Sequence, residues 1–208
     1  MVPTMTVEDA IKADLRTYLQ EGRDVLVLKA EGLSEYDVRR PLTPTGTNVL
    51  GVIKHLALVE VGYTSVPFGR PVGPAHPWFD PEAEDNVDMW ARPEESRQQV
   101  LDGYRRAWAA TDAALAELPV DAVGRVPWWG AEGGTEVTLH RVLVHVIAET
   151  HRHAGQIDIV RELIDGSVGN QSVGDDLPEH DEAWWRAYRD RVEDAARQAG
   201  GGEGTVRR

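Results

Sequence analysis

The sequence of 208 residues contains no cysteine. A disulfide framework, a cysteine-ligated zinc site and a cysteine nucleophile are therefore excluded, because each needs a thiol from the chain itself. Any thiol chemistry would use a thiol supplied from outside the protein. Lysine is also scarce, and the formal net charge is −13. No clustered basic stretch indicates a nucleic-acid interface, so we expect no nucleic acid among the partners.

Long apolar runs are lacking as well. No run approaches the roughly 20 residues that a helix needs to cross a bilayer. The N-terminus also lacks the basic stretch followed by an apolar one that is typical of a signal peptide. These features predict a cytoplasmic protein without membrane contacts. A hydrophobic content of 41% is ordinary for a globular chain with one core, and it leaves monomer and homodimer open.

What the sequence does contain is helical periodicity. The spacing of apolar residues, together with capping residues and breakers, predicts four long helices, at about 6–32, 48–63, 93–119 and 138–164. The second of these is apolar nearly all round, which is typical of a central helix. We expect an all-α protein in which residues 1–169 form a four-helix bundle. Residues 170–208 would be a C-terminal extension with a short helix and a frayed tail, packed on or trailing the bundle.

A polar face runs along the fourth predicted helix. His145, Glu149 and His153 are spaced four residues apart among apolar neighbours, which places them on one side of the helix. A buried carboxylate needs a cation or strong donors, and a divalent metal shared by Glu149 and His153 would meet that need. His55, on the apolar second helix, is the best third ligand because ligands in a bundle converge from facing helices. Two histidines and a carboxylate with open positions are typical of a catalytic site.

Structural explanations compete with this interpretation. A histidine on an apolar helix is more often a hydrogen-bonded core residue than a ligand, and a Glu-x-x-x-His pair also occurs in surface ion pairs. His145 could support the site from behind or belong to the core, and we favour the core.

Two segments carry a resemblance to a known family. Residues 51–57 with Glu60, and residues 149–157 followed by Asp165 and Gly166, are similar to the two ligand helices of the DinB-like superfamily. The resemblance covers roughly residues 6–169. It points to an uncharacterised actinobacterial branch that is similar to mycothiol-dependent maleylpyruvate isomerase and to thiol S-transferases.

The resemblance implies a DinB-like four-helix bundle whose metal triad falls on His55, Glu149 and His153. Many relatives carry histidine where this chain has Glu149, so the metal is less constrained. Zinc is the metal that the family implies, and nickel, iron(II) or manganese would also suit two histidines and a carboxylate.

The implied function is a divalent-metal-dependent transferase that activates a low-molecular-weight thiol such as mycothiol for attack on a small electrophile. A divalent cation deprotonates a coordinating thiol, and the thiolate is the nucleophile. Near the metal, Arg152, Gln156 and Glu60 are candidate substrate contacts, although Glu60 could also support a ligand or be solvated. The loop aromatics Trp78 and Trp128 could wall an electrophile pocket or simply cover the core.

Two other functions fit the same residues. A metal-dependent hydrolase would use a bound water whose pKa is lowered. A non-enzymatic stress protein would bind a metal or ligand without turnover. One fold hosts many functions, so the bundle alone does not choose among the three.

Overall fold

The computed structural model describes residues 5–72, 84–131, 133–169 and 178–200. Within these residues the chain is mainly helical. The five α-helices are α1 (Val7–Ala30), α2 (Val49–Ser65), α3 (Arg97–Glu117), α4 (Leu139–Asp165) and α5 (Glu182–Gly200). Two short 3-10 helices, Val66–Phe68 and Val87–Met89, lie between α2 and α3. A hairpin of β1 (Val123–Val126) and β2 (Thr135–Thr138) precedes α4.

Capping side chains set the starts of three long helices. The hydroxyl of Thr6 accepts a hydrogen bond from a main-chain amide in the first turn of α1, and Asn48 and Thr138 do the same for α2 and α4. These bonds satisfy amides that have no partner within the helix. The predicted starts of these helices are confirmed. Gly166, with φ of 76°, ends α4 in the left-handed conformation that glycine adopts without cost.

The predicted start of the third helix is wrong. Proline is favoured in the first turn of a helix, so Pro93 predicts a start at about residue 93, but α3 begins after Ser96. Ser96 and Gln99 form a reciprocal capping box, each side chain bonding the other's main-chain amide. Two amides are thereby satisfied at once, which outweighs the preference of proline for the first turn.

The hairpin is a second difference. Residues 119–137, between the third and fourth predicted helices, contain β1 and most of β2, paired antiparallel with Val126 opposite Thr135. Each strand has four residues, which is too short to show a clear alternation of polar and apolar positions. Gly134 enters β2 with φ of 78°, and a Cβ there would lie 2.5 Å from the carbonyl oxygen of Val126. Only glycine fits this close approach.

The second helix is central, as predicted. It packs against α3 on one side and α4 on the other, and α1 packs mainly on α4. The segment Val49–Phe68 has the length and composition of a membrane-spanning helix, so the expectation that no apolar run approaches that length is corrected. However, 72% of this apolar window is buried inside the protein, as expected for the core helix of a bundle.

The chain divides into two compact units, Met1–Asp175 and Asp176–Arg208. The described part of the second unit is essentially α5, which has no buried residue. Its aromatic side chains contact one another, and the rings of Trp184 and Tyr188 stack with centroids 5.3 Å apart.

Candidate metal centre

The structure brings together the two histidines on which the predicted site depends. His55 on α2 and His153 on α4 lie with their ring centroids 5.1 Å apart and their planes inclined by 70°. Two imidazoles that share a tetrahedral metal at bonds of ~2.0–2.1 Å have centroids about 5 Å apart. The spacing of the pair is therefore compatible with two ligands on one ion, and it is also the spacing of an edge-to-face ring contact.

Both rings are oriented through the same nitrogen. His55 Nδ1 donates to Asp88 Oδ2 at 2.6 Å, and His153 Nδ1 donates to Gln156 Oε1 at 2.8 Å. In both rings Nδ1 is thereby the nitrogen that an acceptor engages, and Nε2 is the other ring nitrogen. Histidines that bind metals almost always donate their other N–H to a carboxylate or carbonyl oxygen in this way. The two partners thus leave both Nε2 atoms suited to a metal.

Glu149 lies one turn before His153 on the same helix. Its Oε2 is 3.6 Å from His153 Nε2, which is too long for a good hydrogen bond. Two ligands of one tetrahedral metal are about 3.4 Å apart, so the separation suits a carboxylate and an imidazole that share an ion. Within the described ranges, however, no three His, Cys, Asp or Glu side chains are grouped closely enough to be a preformed cage. The nitrogen and oxygen donors are of the types that bind a divalent metal, but His55, Glu149 and His153 do not form a closed triad in this conformation.

The protonation states also suit a cation. Burial lowers the pKa of His153, and the neighbouring His55 lowers it further. His153 is therefore neutral at pH 7 and offers a lone pair. The hydrogen bond from His55 holds the pKa of Asp88 below its usual range. Asp88 is therefore a carboxylate that supports His55.

Asp88 is the site residue that the sequence analysis missed. It lies in the short 3-10 helix between α2 and α3, 33 residues after His55. No periodicity links it to the ligand helices, and it is one of 35 acidic residues. Only the folded chain shows that its carboxylate faces an imidazole.

The α2 helix itself holds the Asp88 segment in place. A Cβ on Gly51 would lie 1.9 Å from the carbonyl oxygen of Met89, so the segment passes directly over this glycine. Asn48 Nδ2 donates to the same oxygen at 3.1 Å. Lys54 Nζ donates to two further carbonyl oxygens of the segment, at 3.2 and 3.1 Å. The Asp88 carboxylate that orients His55 is therefore held in place by Asn48, Gly51 and Lys54, which all precede His55 in the chain.

Three of the predicted substrate contacts lie on α2 and α4. Gln156 bonds His153, as described above, and Arg152 is exposed beside it. Glu60 is elsewhere: it is fully buried and pairs with Arg23 of α1, with Oε2 2.6 Å from Nη2. It is neither solvated nor bonded to a histidine of the candidate site.

The aromatic candidates divide between the described and the masked parts of the chain. Trp78 lies outside the described residues. Trp128 is 46% exposed and borders a pocket of about 240 Å³ that His55, Tyr63 and Asp88 also line. One predicted aromatic wall is therefore next to the candidate metal centre.

His145 belongs to an aromatic cluster. Its ring lies 4.7 Å from the ring of Tyr63 and 4.8 Å from that of Trp129, edge to face in both cases. Trp129 Nε1 donates to the hydroxyl of Tyr63 at 2.9 Å. His145 is half-buried, so it packs at the edge of the core, and the interpretation of His145 as a core residue stays a prediction.

Comparison with known families agrees with this geometry. The family model described as mycothiol-S-transferase matches residues 14–166, a range that contains α2, Asp88 and α4. No curated protein matches the chain. The expected relation to DinB-like proteins and to mycothiol-dependent enzymes is confirmed by the family match. The α5 helix lies outside the matched range. From residue 14 to residue 166, the chain belongs to the mycothiol-S-transferase family.

Proposed function

We propose that the protein is a divalent-metal-dependent transferase that joins the sulfur of mycothiol, or a similar small thiol, to a small electrophile. The observation that carries this proposal is the His55–His153 pair, in which both Nδ1 atoms are engaged and both Nε2 atoms remain for a ligand. The family match supports the thiol. The absence of cysteine agrees with a thiol that comes as a cosubstrate.

His55, Glu149 and His153 would hold the metal, with zinc as the first candidate and nickel, iron(II) or manganese as others. When bound, the metal would favour the thiolate form of the cosubstrate. Asp88 and Gln156 keep the Nδ1 protons on the two histidines, so neither ring acts as the proton acceptor through that atom. The thiol proton passes to solvent, the sulfur forms a bond to the electrophilic atom, and the leaving group departs with its bonding pair.

The proposal also includes the fold type, the cell compartment and the oligomeric state. The four helices α1 to α4 form a bundle of the DinB-like type, in which inward-facing side chains of α2 and α4 supply the ligands. The protein works in the cytoplasm, where mycothiol-type thiols are kept reduced, as a monomer or homodimer.

Elemental analysis of the purified protein tests the metal directly. We expect about one divalent metal per chain, lost in His55→Ala and in His153→Ala. His145→Phe is the matched control, because it removes a histidine of α4 whose ring packs against Tyr63 and Trp129. This control variant should retain the metal. A folded wild-type protein that stays empty after zinc is supplied would contradict the proposal.

Turnover then separates the reaction classes. The metal-loaded protein should consume mycothiol and an electrophile in equal amounts, and neither His55→Ala nor His153→Ala should do so. Metal-dependent hydrolysis without thiol consumption would instead indicate a hydrolase. Tight metal binding with neither activity would indicate a binding protein.

A further inference from the structure

The pocket beside His55 has an apolar, aromatic character. Leu58 and Val59 of α2 form an aliphatic wall, while Tyr63 and Trp128 contribute rings, and the volume is about 240 Å³. Ligand pockets for drug-sized molecules are commonly ~300–1,000 Å³. The size therefore suits a molecule with one ring rather than several.

The two aromatic walls differ in their contacts and exposure. Tyr63 is held from behind, because its hydroxyl accepts the hydrogen bond from Trp129 Nε1 at 2.9 Å and its ring packs on His145. Trp128 meets Tyr63 edge to face, with centroids 5.2 Å apart at 70°, yet it is 46% exposed. Both rings line the pocket, so a planar ligand there could make the offset or edge-to-face contacts that aromatic rings favour.

The charge of the pocket limits the ligand further. Among the described residues that line it there is no lysine or arginine, and the one carboxylate, Asp88, is bonded to His55. Apart from a metal held by His55, an anionic ligand would find no cationic partner on these walls, and a cationic one would find a carboxylate that is already engaged. An uncharged ring fits best.

We propose that this pocket binds the ring of an uncharged, monocyclic aromatic electrophile and places it beside His55. The inference rests on the proposed function for the reaction, although ring binding itself is independent of thiol and metal. With an aryl halide the thiolate sulfur forms a bond to the ring carbon, and halide leaves with the bonding pair. Trp128 is then a residue that determines specificity for the electrophile.

Binding of an unreactive probe tests the pocket by itself. The probe is 2,4-dinitroaniline, measured by isothermal titration calorimetry on the full chain. We expect binding about tenfold weaker in Trp128→Ala and nearly unchanged in Trp128→Phe, which keeps a ring. The control Tyr36→Ala removes an aromatic ring that is 73% exposed and does not line the pocket, and it should not alter binding. Equal binding by wild type and Trp128→Ala would overturn the proposal, as would binding of anionic 2,4-dinitrobenzenesulfonate that is equally tight and equally dependent on Trp128.

Kinetics with paired electrophiles complete the test. In the presence of mycothiol, Trp128→Ala should raise KM for 1-chloro-2,4-dinitrobenzene about tenfold and leave KM for the small aliphatic iodoacetamide unchanged. An equal rise for both electrophiles would contradict a ring-specific role. If 2,4-dinitroaniline binds in a Trp128-dependent way but no electrophile is turned over with thiol, the proposed function fails while the ring site stands.

Discussion

The α2 helix places ionisable side chains inside the protein at two positions. The two positions differ in how many of their polar atoms have a hydrogen-bond partner. Glu60 bonds Arg23 through both carboxylate oxygens, at 3.1 and 2.6 Å, and both side chains are fully buried. Arg23 also bonds Asp112 at 3.1 Å. His55, by contrast, is 25% exposed, bonds Asp88 through one nitrogen and has its second nitrogen left over beside His153.

This difference separates a structural pair from the pair that we propose to bind a metal. Burial raises the pKa of Glu60, and the charge and hydrogen bonds of Arg23 oppose that effect. A buried carboxylate of this kind is held by its partner, and the pair joins α1 to α2. The histidine pair has unused donor capacity next to a pocket, which is the usual sign of a binding site. We therefore interpret the fully hydrogen-bonded Glu60–Arg23 pair as structural and the histidine pair as the candidate binding site.

Breaking the buried Glu60–Arg23 pair should have the largest effect on the free energy of unfolding. Glu60→Ala leaves Arg23 buried beside a cavity, and we expect a loss of about 3–5 kcal/mol in the free energy of unfolding. Urea denaturation measures this loss. The control is Glu117→Ala, because Glu117 pairs with Arg70 at the surface and its side chain is 63% exposed. That variant should unfold at nearly the same urea concentration as the wild type, because exposed ion pairs contribute little to stability.

The metal content of the Glu60→Ala variant gives a second test of the difference between the two sites. Folded Glu60→Ala protein should still take up zinc, because Glu60 is not bonded to either histidine. A stability loss as small as that of Glu117→Ala, or loss of the metal from folded protein, would remove the distinction between the two sites.

Gly51→Ala tests how α2 supports Asp88. The added Cβ would lie 1.9 Å from the backbone oxygen of Met89, so the Asp88 segment must shift. We expect a cost of about 1–3 kcal/mol from overpacking and weaker zinc binding. The control is Gly155→Ala in α4, where an added Cβ meets nothing within 4 Å. It should stabilise the helix by about 0.5–1 kcal/mol. Equal zinc affinity in the two variants would show that the close approach at Gly51 does not position Asp88.

Asp88→Asn should have the smallest effect on stability but a specific effect on the metal. The amide keeps the shape of the side chain and loses the charge that orients His55, so zinc affinity should fall about 10- to 100-fold. Competition with a chelator measures the affinity. The neighbouring exposed Asp85 provides the control, and Asp85→Asn should bind zinc like wild type. If Asp88→Asn also binds like wild type, Asp88 has no part in the site.

Much of the fold was predictable because the signals are local. Thr6, Asn48 and Thr138 are capping residues that stand directly before apolar helical patterns, and α1, α2 and α4 begin there. The hairpin was missed because four-residue strands carry little pattern. At the third helix, the reciprocal bonds of Ser96 and Gln99 decided the start over Pro93.

The candidate site was predictable only in part. His55 and His153 stood out as polar residues on apolar helices, and the structure places them side by side. The residues that hydrogen-bond the two histidines differ in their distance from them along the chain. Gln156 is three residues from His153 on the same helix, whereas Asp88 reaches His55 from a separate segment. The local partner was already a candidate, and the remote one was not.

The sequence by itself determined the helical segments, the lack of any thiol in the chain and the histidine pattern that led to the family. The tertiary structure decided what each polar side chain of α2 meets. His55 and Glu60 are about 140° apart around the helix axis. His55 faces α4 and Asp88, and Glu60 faces Arg23 of α1. Periodicity defines which residues share a face of a helix, but the residues opposite that face come from elements packed from elsewhere in the chain.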